Sequence, residues 1–423
     1  MSTITTPALP KPKQSIFQWI GNHWFETFLI VYGLWVFAPF LAPFFMYIGW
    51  TGAGKAIYCL LYTSRIKKTM IFSLMALALI LSACAPAATP NNTMPMNNDN
   101  SNVTDGIPTP GSMMADNPGA AHMMEPITAP NVQPATETAG GQPLAYREED
   151  GIKVFELTTK AVQWPILDGV TVTAYTYNGT VPGPMIRVTE GDQVRIIVKN
   201  ELSDPTTIHW HGVEVPNAMD GVPGVTQDPI QPGETFTYEF IAKPAGTFMY
   251  HSHFEGDVQV GAGLYAPFII DPKEPEANPP AVDKILMLSE VRMTDGETYA
   301  AMPMGGMEPN YFTINGKSFP ATETITVKKG DLVRLRFMAI GQFIHPMHLH
   351  GMPFKIVATD GHPVPEAAQL TKDTISVAPG ERYDIEFVAT ETGQWMLHCH
   401  ILHHTTNDNV EPGGLMLMIN VVE

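Results

Sequence analysis

The sequence predicts an all-β chain: two tandem Greek-key β-sandwich domains preceded by a disordered tether. Composition is the first reason. Charged residues make up only 16% of the chain and prolines number 38, which favours short strands between turns over helices. Second, the runs 194–198 and 236–240 are rich in β-branched and aromatic residues and are bounded by Gly, Pro and Asp. Residues 333–337 alternate apolar with basic side chains, as a half-buried strand does. Third, the body repeats. Asn178-Gly179 leads to Gly191-Asp192-Gln193-Val194-Arg195, and Asn315-Gly316 leads to Gly330-Asp331-Leu332-Val333-Arg334. Pro232-Gly233-Glu234 begins 19 residues before His251, and Pro379-Gly380-Glu381 begins 19 before His398. Gly246 and Gly393 each stand five residues before those same histidines. Equal spacing of turn signals marks two copies of one domain, placed at 143–275 and 276–423.

Three segments precede the repeat. Residues 1–64 contain an uncharged apolar stretch at 28–50, about 23 residues and long enough to span a bilayer. The run Tyr58-Cys59-Leu60-Leu61-Tyr62-Thr63-Ser64 reads as a junction between unrelated segments, so residues 1–64 are given no functional weight. Gly49 to Ala56 imitates a phosphate-binding loop but has Ala56 where Ser or Thr should hold magnesium. Residues 65–84 read as a lipoprotein-type signal peptide. Arg65, Lys67 and Lys68 precede a short apolar run, and Leu81-Ser82-Ala83-Cys84 closes it. Cleavage there would leave Cys84 as a lipid-bearing N-terminus, making the protein an extracytoplasmic, membrane-anchored lipoprotein at the cell surface or in the periplasm. Residues 85–142 are rich in Pro, Asn, Thr, Ala and Met without apolar periodicity and read as the tether. Its methionines could capture Cu(I), thioethers being soft ligands, or could simply belong to a spacer.

The chemistry lies in four short clusters: His209-Trp210-His211-Gly212, His251-Ser252-His253, His345-Pro346-Met347-His348-Leu349-His350-Gly351, and His398-Cys399-His400-Ile401-Leu402-His403-His404. They hold ten of the 14 histidines in a metal-site pattern, and Cys399 is the only cysteine within the repeat. Neutral imidazole and thiolate are ligands that copper prefers, and a trigonal His₂Cys set is the blue-copper signature. On a strand, His398 and His400 must face one way and Cys399 the other. One strand can then serve two copper centres, joined by the backbone on either side of Cys399.

These clusters, in this order, resemble those of the multicopper oxidase family, which includes the laccases, over roughly residues 143–423. The resemblance implies cupredoxin-like domains and four coppers. A type 1 copper would take His345, Cys399 and His404, with His403 a neighbour. Many relatives place the axial residue ten positions after the cysteine, where Asn409 stands here; the loop from Thr405 to Pro412 reads as an insertion. Leu415 is then the expected axial residue and Met416 the alternative. One type 2 and two type 3 coppers would be held by His209 and His211, His251 and His253, His348 and His350, and His398 and His400. Asp220 matches an acidic residue that related oxidases use near the cluster. It can be read as a proton relay or as a turn aspartate in Met219-Asp220-Gly221. The implied catalytic set is Cys399, His398, His400 and Asp220.

The implied activity is laccase-like: one-electron oxidation of phenolic or similar donors, coupled to reduction of dioxygen to water. The alternative is a cuprous or metal-ion oxidase for copper tolerance. Less favoured are copper nitrite reductase, whose blue-copper cysteine lies in the first domain where this chain has Ser252, and a non-catalytic copper-sequestering lipoprotein. With a short connection between the two copies, the two histidine halves are expected to meet between subunits, in a ring that closes as a homotrimer. From residue 85 onward the chain holds 18 basic and 41 acidic residues, a net charge of −23, which argues against nucleic acid as a partner.

Overall fold

The computed structural model describes residues 125–423. The apolar segment at 28–50, the signal peptide with Cys84 and tether residues 85–124 lie outside the described residues. What is described is almost entirely strand. Among the described residues the α-helix is confined to a single turn, Gly256–Gln259.

Each repeat pairs a larger sheet with a smaller one, and the smaller sheets carry the histidines. In the first, the order is Ile186–Thr189, Tyr265–Asp271, Gly246–His251, His209–His211. In the second it is Ile325–Lys328, Met416–Val422, Gly393–Cys399, His345–Leu349, with Thr374–Val377 added at the edge. In both, the first pair is parallel and the next two are antiparallel. The larger sheets repeat as well. Ile152–Leu167, Gln193–Asn200 and Thr235–Ile241 correspond to Val282–Thr294, Leu332–Ala339 and Arg382–Val388, again one parallel pair and one antiparallel. Parallel neighbours joined through strands of the facing sheet are what a Greek-key sandwich produces.

Local chemistry explains the matching turns. Asn178 and Gly179 have φ of 55° and 85°, and Asn315 and Gly316 have 51° and 70°. Both central residues are left-handed, the type I′ geometry for which Asn-Gly is favoured. Each asparagine also ties its turn to the long strand of the larger sheet. Asn178 Oδ1 accepts from the Thr158 amide at 2.7 Å, and Asn315 Oδ1 from the Met287 amide at 2.8 Å.

Three apolar clusters hold the body together. One fills each sandwich, around Phe155, Trp210 and Phe268 in the first and around Phe337, Phe354 and Leu397 in the second. The third lies between them, with Trp164, Met249, Tyr265, Met287 and Met338 from both repeats. Polar groups cross the same boundary. Trp164 Nε1 donates to the Gly316 carbonyl at 2.8 Å, and buried Arg336 bridges Thr247 of the first repeat to Asp384 of the second. The two halves are therefore fixed against each other, which decides below which histidines can meet within one chain.

The end of the predicted tether is corrected. Ile127 is buried in the first core, Gln133–Pro134 pairs with Val162 and Gln163, and Gly141 donates to the Pro182 carbonyl. The segment has no period because it docks as an edge and a strap rather than as a full strand. Its prolines need no ladder partner there.

Candidate metal centres

The second small sheet sets the register of the most buried cluster. Met347 stands opposite Cys399, His348 opposite His398 and Leu349 opposite Leu397. Alternation then sends Cys399 into the core while His398 points to the other face. His345, two residues before Met347, shares the inward side of its strand and is wholly buried. His404 arrives from the 3₁₀ turn Leu402–Thr405 and is also buried. Its ring stacks on Phe312, with centroids 4.3 Å apart and planes at 25°.

The three side chains converge. Donor atoms of His345, Cys399 and His404 lie within 4.8 Å of one another. His345 Nδ1 and His404 Nδ1 are 3.2 Å apart, and Cys399 Sγ is 3.5 Å from His404 Nδ1. Burial pushes the Cys399 thiol up to about 12 and brings His404 down to about 3, so the free site holds a neutral thiol and neutral imidazole at pH 7. Two inward ring nitrogens and a sulfur share at most a proton or two, in a space that excludes water. That donor set fits copper, which takes imidazole and thiolate and displaces the thiol proton on binding.

Register puts the two axial candidates on opposite faces of their strand. The Cys399 amide donates to the Leu415 carbonyl at 3.0 Å, and Met416 stands opposite His398. Leu415 belongs to the same core cluster as Cys399, whereas Met416 lies on the histidine face. The preceding loop is a hairpin turn, with Asp408 and Asn409 at φ of 47° and 64°. Asn407 pins it to Ser318 and Phe319. His403 is exposed and bonds Asn409 at 3.1 Å, away from the converging trio.

The other eight histidines form two separate sets. In the first repeat, His209 stands opposite His251. Rings of His209, His211, His251 and His253 lie 5.5 to 6.4 Å apart. In the second, His348, His350, His398 and His400 lie 5.0 to 5.7 Å apart. Among the described residues no ring pair joins one set to the other. Both sets reach solvent: His253, His350 and His400 are exposed and the remainder half-buried.

Backbone carbonyls orient four of these eight rings. Nδ1 of His209 meets the Asp220 carbonyl at 2.8 Å, His251 the Ser252 carbonyl at 2.8 Å, His348 the Asp373 carbonyl at 2.9 Å and His398 the Cys399 carbonyl at 2.9 Å. A ring that donates from Nδ1 presents the Nε2 lone pair outward, as a ligand must. Burial, aided by Arg382, brings His211 down to about 3, and burial brings His251 to about 4; His350 and His398 are also lowered. Asp220 serves His209 twice, since its carboxylate Oδ1 is 3.3 Å from the same Nδ1. Its place after the turn Asn217–Met219 accounts for the carbonyl contact, and its carboxylate is partly exposed.

Two features lie outside the set of site residues expected from the sequence. Glu290, on Val282–Thr294, is buried and lies 3.3 Å from His345 Nε2, though 55 residues separate them. Met302, Met304 and Met307 gather in a small satellite cluster, where the sequence reading placed methionine-rich chain only in the tether.

Multicopper oxidase models match residues 158–275 and 292–411. The solved blue copper oxidase from Nitrosomonas europaea is 38% identical with a TM-score of 0.59, the match covering 63% of this chain and 85% of that one. The chain belongs to the multicopper oxidase family. Multicopper oxidase MmcO of Mycobacterium tuberculosis is 31% identical over 256 residues, 53% of this chain and 49% of that protein. Copper resistance protein A of Escherichia coli is 41% identical over 262 residues, 50% of this chain and 42% of that protein. The chain thus spans about half the length or less of these curated relatives. Membership implies copper as cofactor in type 1, 2 and 3 sites, and the two kinds of histidine arrangement match that division.

Proposed function

We propose that this multicopper oxidase is laccase-like, taking single electrons from phenolic or similar donors and passing them to dioxygen. The observation that carries the reading is the single strand Gly393–Cys399 with its following residue. It turns Cys399 into the buried trio while His398 and His400 stand together on the open face, rings 5.7 Å apart. When bound, copper supplies one-electron exchange at the buried trio and four-electron chemistry on oxygen at the histidine clusters. The chain contributes the connection, since only the backbone flanking Cys399 separates the two kinds of site. It packs Phe312 and the core around the trio, and orients four of the eight cluster rings through backbone carbonyls. Asp220, beside His209, is placed to exchange protons with water at the cluster.

The reading extends to assembly. Each chain carries two exposed half-sets fixed apart by its domain interface, so a complete set needs a first repeat from one chain and a second repeat from the next. A closed head-to-tail ring provides this, and we take it to be a homotrimer. The Leu81-Ser82-Ala83-Cys84 motif supports a reading in which the protein acts outside the cytoplasm, anchored by lipid on Cys84.

A cuprous-ion oxidase is the second reading, favoured by the Met302, Met304 and Met307 cluster, because thioethers bind Cu(I). Oxygen uptake by the copper-loaded chain separates the two, with a methoxyphenol compared against Cu(I) and Cys399→Ser as control. Uptake with the phenol that the substitution abolishes supports the laccase-like reading. Uptake with Cu(I) alone replaces it with the metal oxidase. Bound copper with no uptake from either donor refutes both.

A further inference from the structure

Glu290 is a buried carboxylate that, among the described residues, pairs with no lysine or arginine and is held instead by a backbone amide and a histidine ring. The Gln342 amide donates to Oε1, and His345 Nε2 lies 3.3 Å from Oε2. The loop before His345 is shaped around it. A Cβ built at Gly341 would fall 2.1 Å from Oε1, so only glycine lets the backbone close over the carboxylate. The same carboxylate lines a cavity of about 390 Å³ together with Gln342, His211, His251 and His253.

The chemistry of the two donors requires an acid here. A carboxylate accepts on both oxygens, whereas an amide accepts on one and donates from the other. A glutamine would satisfy either Gln342 or His345 and oppose the second. A carboxylate beside Nε2 favours the tautomer with its proton there, which leaves the Nδ1 lone pair of His345 toward Cys399 and His404, 3.2 Å from His404 Nδ1. Sequence proximity plays no part, because the carboxylate comes from the larger sheet and the ligand from the smaller.

Resting on the copper reading above, we propose that Glu290 is the positioning residue of the type 1 centre. It fixes which nitrogen of His345 faces the metal, and its negative charge, hydrogen-bonded to a ligand, favours the oxidised state and lowers the reduction potential. A partner of this kind raises ligand basicity and is felt by the metal without touching it.

The test uses full-length copper-loaded protein with Glu290→Gln, Glu290→Asp and Gly341→Ala. Readouts are copper content, the blue absorption and electron exchange with a one-electron mediator. Glu290→Gln should keep its copper but shift the exchange equilibrium about tenfold toward the reduced site, equivalent to 59 mV for one electron. Gly341→Ala, which displaces the carboxylate without removing it, should shift the same way. Glu290→Asp should return the potential toward wild type. Should Glu290→Gln fail to take up copper, recovery of a blue site by Glu290→Asp supports the role, and failure of both variants reduces it to packing. A blue wild type with the potentials of Gln and Ala variants unmoved overturns the role of Glu290 alone. A wild type that never turns blue overturns the copper reading and this inference together.

Discussion

The two repeats place the same strand in the same sheet and fill its inner face differently. In the second, His345, Cys399 and His404 converge. In the first, the matching positions are taken by Thr206, three residues before His209 as His345 is before His348, and by Ser252, which follows His251 as Cys399 follows His398. Gln259 completes this trio. Ser252 Oγ donates to Gln259 Oε1 at 2.6 Å, Thr206 Oγ1 donates to the same oxygen at 2.8 Å, and Gln259 Nε2 donates to the Pro205 carbonyl at 2.8 Å. All three side chains are buried. A hydroxyl–hydroxyl–amide trio satisfies itself through hydrogen bonds, as buried polar groups must. An imidazole–imidazole–thiol trio leaves donor atoms facing one another and invites a cation. The frame is common to both repeats, and three side chains decide whether it closes on itself or holds a metal.

The largest effect should come from erasing that difference. Cys399→Ser makes the second trio resemble the first and is expected to take the blue absorption and donor oxidation to background. The electron paramagnetic signal of the histidine-bound copper should persist, and a variant that stays blue would break the comparison. Next in size is Gln259→Ala. Removing the shared acceptor leaves two buried hydroxyls short of a partner, at a cost of about 1–3 kcal/mol, read by urea unfolding of the copper-free protein. Blue absorption of the loaded protein should not change.

Acid should act on both repeats. His211 and His404 sit at about 3 and His251 at about 4, below the ordinary 6.5, chiefly through burial. Unfolded chains therefore take up protons first as pH falls. Stability of the copper-free protein should be level above about 6.5, decline from there toward about 3, and flatten below. Urea midpoints between pH 7 and 4 test this, and a flat profile would contradict the burial assigned to these rings. The smallest effect is expected of Leu415→Met, which should keep the blue band and lower the potential as a weak thioether donor replaces an inert side chain. The expected shift is no more than about tenfold in mediator exchange, 59 mV.

The sequence made much of this legible, for physical reasons that can be named. Strand alternation alone separates Cys399 from His398 and His400, and equal spacing from Pro232 and Pro379 to the histidines exposes the repeat. The Asn178 and Asn315 turns declare themselves through a backbone geometry that few residue pairs adopt. What was hidden depends on packing between distant strands. Glu290 meets His345 across two sheets, and Phe312 finds His404 through the sandwich core. The Thr206–Ser252–Gln259 trio looks like ordinary polar sequence until the fold assembles it. The segment from Ile127 to Gly141 misled because a strap needs no periodicity.

The separation of the two histidine sets has a genetic consequence. In a head-to-tail ring, a chain damaged at His251 still offers a sound second repeat, and one damaged at His400 still offers a sound first repeat. Neither variant alone can build a cluster. On the proposed homotrimer, every mixed assembly would contain one junction where two sound halves meet, so equal mixing should restore roughly a quarter of the clusters. Two inactive alleles would then complement one another in a single cell, with no exchange of DNA between them.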